Sequence, residues 1–171
     1  MTGALPLFDY IQQVRTELAG GGLPPAGDGN LAAEVDAVEA AKPLTAHVAG
    51  ILLEGQAAEL AQKQQHLELL SNMVLEVYAL DSAIARTLKL IRRRGVEGAV
   101  LEIDLSRILA ARCSDELLAT ARRLIANDTT GDDLSQRLRE ISLLSSYIPR
   151  GVLDTKARVA ERVTAMYAPA A

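Results

Sequence analysis

The sequence predicts an all-α fold, an antiparallel helical bundle, and three observations carry that prediction. Apolar residues recur every three or four positions along most of the chain, the spacing that lines one side of a helix. No run alternates apolar and polar residues with the β-branched content of a strand. No proline stands between Pro43 and Pro149, so long helices joined by short turns are the natural packing.

The elements follow in order. Leu7, Ile11, Val14 and Leu18 line a short first helix, with Pro6 at a favourable first-turn position. Residues 1–19 are thus read as a linking helix. It is stopped by "AGGGLPPAGDG", a Gly/Pro loop over 20–29. Residues 30–171 form the bundle, and the whole is one domain. Asn30 is the expected N-cap of a second helix carrying Leu31, Val35, Val38, Val48 and Leu52, kinked at Pro43. Its stripe weakens over 55–62, where a turn or bend is expected.

A third helix carries Leu67, Leu70, Val74, Val77, Ile84, Leu88 and Ile91 and ends at Gly95 and Gly98. A fourth, from about Ala99 to Asn127, turns Leu101, Leu105, Ile108, Leu117, Leu118, Ala121 and Leu124 inward. "NDTTGDD" is a loop whose Thr130 or Asp132 caps a fifth helix with Leu134, Leu138, Ile141 and Leu144. That helix should run to Ile148, because Pro149 follows. A last helix offers Val152, Val159, Val163 and Met166.

Composition narrows the function classes. A chain of 171 residues with 49% hydrophobic and 23% charged residues suits one packed domain and not a disordered segment. Aromatics are 3%, with no Trp, so stacking platforms for bases or sugars are scarce. The net charge of −4 creates no field that attracts nucleic acid or an anionic membrane. The lone Cys113 cannot form an internal disulfide, which fits a cytoplasmic protein. Met1 to Ala4 do not open a signal peptide, and the most apolar stretch, His47 to Leu53, is too short to span a bilayer.

The stretch "VLEVYALDSAIARTLKLIRRRG" (74–95) has the sound of a site, with Glu76, Tyr78, Asp81 and Ser82 within two turns and three arginines behind them. Chemistry argues for a core helix instead. Glu76 and Asp81 are five apart, which rotates them off a shared face. Ser82 has no histidine at helical spacing and reads as packing, and Tyr78 reads as a ring buried at the bundle edge. Arg92, Arg93 and Arg94 occupy a last turn, where cations favour the carbonyl end of the helix. A di-iron bundle needs Glu three residues before a ligand His, and here Leu44 and Lys63 precede His47 and His66. One Cys and two His are too few for zinc, and Cys113 reads as a small interior residue. No catalytic, cofactor-binding or metal residue is assigned.

"QHLELLSNMVLEVYALDSAIAR" nonetheless resembles a helix in the C-terminal extension of the large, very-long-chain-type bacterial acyl-CoA dehydrogenases. The resemblance runs through Gln65, Leu70, Glu76, Tyr78, Ala79, Asp81, Ser82, Ala83 and Arg86. "YIPRGVLDTKARVAERV" resembles the closing segment of that extension through Tyr147, Pro149, Lys156, Arg158, Ala160 and Glu161. "GALPLFDYI" is similar to the stretch just after their catalytic loop. Asn72, Leu80 and the 20–29 loop depart from the pattern.

The resemblance implies a complete enzyme that uses FAD to desaturate acyl-CoA thioesters, with a carboxylate base in a Glu-Gly-Thr loop. Here Glu54 and Glu97 are followed by Gly but not by Thr, so no base is carried over, and no cofactor is expected on this chain. Implied partners are the catalytic acyl-CoA dehydrogenase domains, in the same or a separate chain, and further copies in a homo-oligomer. In mitochondrial relatives the loop after the first helix aids membrane attachment. Here that loop lacks basic and bulky apolar residues, so attachment is not expected. Two other readings stand beside this one: a free-standing helical interaction module, and a separately encoded subunit completing a split enzyme.

Overall fold

The computed structural model describes residues 6–20, 29–60, 62–145 and 147–167, without the side chains of 55–58. The described residues form six α-helices and no strand: α1 (Pro6–Ala19), α2 (Ala32–Leu60), α3 (Gln64–Arg94), α4 (Val100–Asp128), α5 (Gly131–Leu143) and α6 (Val152–Tyr167). Single 3-10 turns, Gly29–Leu31 and Glu97–Ala99, lead into α2 and α4. The bundle expected from the periodicity is therefore present. The Gly/Pro loop expected over 20–29 falls almost wholly outside the described residues.

Three long helices make the centre, because α2, α3 and α4 each pack on the other two. At 31 residues, α3 spans roughly 46 Å. α1 lies on α2, and α5 and α6 lie on α4. The largest core cluster draws Val14 from α1, Leu44, Val48 and Leu52 from α2, Met73 from α3, Leu117 and Leu124 from α4, and Ile141 from α5. A second cluster joins Val38, Leu80, Ile84, Ala110 and Cys113 midway along the bundle. A third closes one end with Leu31, Ala99 and Ile103. Each fully buried Leu or Met contributes roughly 1.5–3 kcal/mol.

α1 sits unusually close to α2. A Cβ at Gly50 would lie 2.7 Å from Ile11 Cγ2 and 3.2 Å from Arg15 Nη2, so glycine at this position permits the approach. α2 passes through the buried Pro43 as one helix and ends at Leu60, so the turn expected within 55–62 falls at the far end of that interval. α3 stops where expected. Gly95 takes φ 73°, a left-handed conformation open to glycine, and donates its N–H to Ile91 O at 2.9 Å. The exposed Arg92, Arg93 and Arg94 occupy the last turn as read from the sequence.

Several sequence expectations change. α3 turns Met73, Leu80, Ile84 and Thr87 inward, while Leu67, Val74, Tyr78 and Ser82 are exposed. The helix is apolar on two sides, and periodicity does not say which side faces the bundle. On α4, Leu105 is exposed, and its neighbours Asp104 and Ser106 are buried instead. Thr130 occupies the N-cap position of α5 but makes no capping bond through its side chain. α5 ends at Leu143, not at Ile148; Leu144 then plugs into the core, leaving Ile148 exposed. α6 buries only Thr155 fully, and its Val163 and Met166 face outward.

Candidate functional site

Three polar clusters mark the helix crossings. The first lies between the start of α2, α4, the 147–151 segment and α6, around a cleft of about 610 Å³ lined by Glu34, Arg107, Tyr147, Arg150, Asp154 and Arg158. Asp104 is only 2% exposed. It accepts two bonds from Arg158, Nη2 to Oδ1 at 2.8 Å and Nε to Oδ2 at 3.2 Å. Arg107 Nη1 approaches Asp104 to 3.7 Å, and its Nε lies 3.9 Å from Glu34. The Tyr147 hydroxyl bonds to Glu34; burial, then that carboxylate, push the phenol up to about 12.

The second cluster lies where α1, α2 and α5 meet, around a cleft of about 430 Å³. The buried His47 Nε2 is 3.1 Å from Glu140 Oε2, and Gln136 donates to the other Glu140 oxygen at 3.0 Å. Burial holds the imidazole below its ordinary value despite the opposing pull of Glu140. The neutral ring thus donates from Nε2, and its Nδ1 lone pair is buried without a hydrogen-bond partner. Arg15 pairs with Glu54, and Arg137 Nε donates to Asp133 at 2.9 Å. An imidazole and a carboxylate are two of the three members of a hydrolytic triad, but no Ser, Thr or Cys lines this cleft to serve as nucleophile.

The third cluster answers the question raised by 74–95. Arg112 forks onto Glu76 with two bonds of 2.9 Å, and the Cys113 thiol donates to Glu76 Oε2 at 2.8 Å. Burial raises the Glu76 carboxyl, but the bonds from Arg112 and Cys113 outweigh it and hold the group below its usual range. Burial, then Glu76, push the Cys113 thiol up to about 12, which makes it a poor nucleophile. Asp81 points elsewhere, 3.6 Å from Lys42. His66 pairs with Asp128 at 2.9 Å, tying the α2–α3 turn to the end of α4.

Glu76 and Asp81 are therefore not brought together, and Ser82 and Tyr78 are exposed on the outer side of α3. Sequence reasoning missed the Asp104–Arg158 clamp and the His47–Glu140 pair. The signal for the first was an aspartate in the same helical register as Leu101, Ile108 and Ala111, where a carboxylate needs a partner. The second joins residues 93 apart in sequence, and no local pattern announces it. Among the described residues, no group of three or more His, Cys, Asp or Glu is placed to hold a metal ion. The 610 Å³ cleft is a poor fit for a flavin, because its Arg107 and Arg158 are already engaged by carboxylates. No helix of the described residues is long and apolar enough to cross a membrane.

Comparison with known proteins agrees with this architecture. The family model described as "Acyl-CoA dehydrogenase, C-terminal domain" matches residues 40–142. A probable acyl-CoA dehydrogenase of Bacillus subtilis (strain 168) is 28% identical over 160 residues, covering 94% of this chain and 27% of that protein. The crystal structure of an acyl-CoA dehydrogenase complexed with FAD from Bacillus anthracis superposes with a TM-score of 0.89 at 26% identity. It covers 97% of this chain and 28% of the solved one. The chain thus spans little more than a quarter of these relatives.

Proposed function

The chain belongs to the acyl-CoA dehydrogenase C-terminal domain family, and from that premise we propose that it is a non-catalytic helical domain that stabilises a FAD-dependent acyl-CoA dehydrogenase and its assembly. The observation that carries this reading is the mutual engagement of the polar residues at all three helix crossings. Asp104 is held by Arg158, Glu76 by Arg112 and Cys113, and Glu140 by His47 and Gln136. A base for α-proton abstraction must instead present an unengaged carboxylate to the substrate. The clamps lock helices to one another, which is what a supporting domain requires. FAD and the desaturation of acyl-CoA belong, on this reading, to the catalytic domains, and the buried thiol fits a cytoplasmic setting.

α1 is the proposed link to those domains. Ile11 and Val14 are buried against α2, whereas Leu7 and Phe8 at the start of the helix are 42% and 48% exposed. The helix therefore anchors in the bundle by one side and offers an apolar end to the catalytic body. In the complete enzyme, Phe8→Asp should lower thermal stability or assembly, and turnover per flavin-loaded site should hold within about twofold. The purified chain should be colourless and should not reduce a dye when given acyl-CoA. A yellow chromophore, acyl-CoA-driven dye reduction, or a Phe8→Asp enzyme with unchanged melting and collapsed turnover would overturn the reading.

A further inference from the structure

α3 is apolar on the side that faces away from the bundle. Leu67, Val74, Leu75 and Tyr78 are 37, 54, 62 and 71% exposed. With the exposed Ser71, Ser82 and Ala85, they recur at helical spacing along one side of the helix. Single exposed apolar residues are ordinary, but four large ones gathered on one side of a helix over about three turns mark a contact surface.

Charge along α3 points to what covers that stripe. Basic residues gather toward its C-terminal end, at Arg86, Lys89, Arg92 and Arg93, while Glu68 lies near its start. Two parallel copies of the helix would stack these cations on one another. Antiparallel copies avoid this. Glu68 and Arg86 are 18 residues apart, which is five full turns, so both lie on the same flank of the helix. A two-fold axis at the level of Val77 then sets each Glu68 opposite Arg86 of the second copy, twice over. Val74, Leu75 and Tyr78 lie between the two ion pairs, and the small Ser71, Ser82 and Ala85 let the helices approach.

We infer that the outer face of α3 is a self-complementary surface on which two copies of this chain pair antiparallel. Two helices of this length bury an area of roughly 1,000 Å², at the small end of specific interfaces, so the pair should form at micromolar concentrations. The face is separate from the Leu7–Phe8 end proposed to meet the catalytic domains, and either assignment can fail without the other.

Sedimentation equilibrium of this chain across micromolar concentrations tests the pairing, with circular dichroism to confirm that each variant keeps its helix content. The wild-type chain should dimerise, and Leu75→Arg should leave it monomeric. Glu68→Arg and Arg86→Glu should each raise the dimer dissociation constant about three- to tenfold, because each sets like charges against one another at two symmetric contacts. The double exchange E68R/R86E should restore the wild-type constant, a rescue that docking on a different partner would not produce. All three residues are exposed, so folding should survive every change. A wild-type chain that stays monomeric throughout the micromolar range, dimers indifferent to Leu75→Arg, or a double exchange no tighter than the singles would overturn the inference.

Discussion

The Arg158 guanidinium closes on the Asp104 carboxylate in a two-point fork, 2.8 and 3.2 Å, joining α6 to α4 at a residue almost wholly removed from water. This fork matters more than an ordinary surface pair, because α6 fully buries only Thr155 of its own. Arg158→Ala should leave the buried Asp104 with Arg107, 3.7 Å away, as its remaining counter-charge among the described residues. The expected result is a lower Tm and a selective loss of amide-exchange protection in α6. Arg158→Lys should recover only part of that protection, since an ammonium cannot fork onto both oxygens.

Gly50 seats α1, and Gly50→Ala should unseat it. The new methyl would meet Ile11 Cγ2 at 2.7 Å, a branched atom close to its own backbone that cannot swing aside. Overpacking costs about 1–3 kcal/mol, and the better helix propensity of alanine returns up to about 1. Denaturant unfolding should show a net loss of about 1 kcal/mol, in contrast to the gain that a glycine-to-alanine change brings in an exposed helix.

His47 should make the fold sensitive to mild acid. Its native pKa lies below the ordinary value of 6.5, so the unfolded chain binds its proton first as pH falls. Stability is then complete above the unfolded pKa and declines as pH drops through 6.5 toward the native value. Glu54 and Glu76, both held below their ordinary 4.5, lose their contributions only in stronger acid. His47→Gln should therefore flatten the fall in Tm between about pH 7.5 and about pH 5.5. An unchanged slope would mean that folding leaves the affinity of this ring for its proton unaltered.

Cys113 should be silent to thiol reagents until the chain unfolds. It is fully buried, and burial together with Glu76 pushes its thiol up to about 12, so almost no thiolate exists near neutrality. A thiol-reactive dye at about pH 8 should label the native chain only at the rate of unfolding and should find one thiol per chain in urea. Rapid native labelling would show that the Glu76–Cys113 bond opens.

The sequence by itself determined the helices and the family. Gly95 ends α3 because its backbone takes a conformation that suits glycine, and the spacing of Leu, Ile and Val marks helix from Pro6 onward. These are local effects, settled within a few residues. The family resemblance through 65–86 and 147–163 was equally legible, since it lies in the order of residue types. Which side of each helix turns inward was decided by tertiary structure. α3 carries apolar residues on two opposite sides, and only the joint packing of α2 and α4 selects Met73 and Leu80 over Val74 and Tyr78. The same holds at the polar crossings. A buried Asp104 is tolerable only once α6 brings Arg158 to it from 54 residues away, and His47 finds Glu140 only when α5 folds back over α2. Desolvation of a charge depends on what the whole chain places around it, and no local pattern contains that.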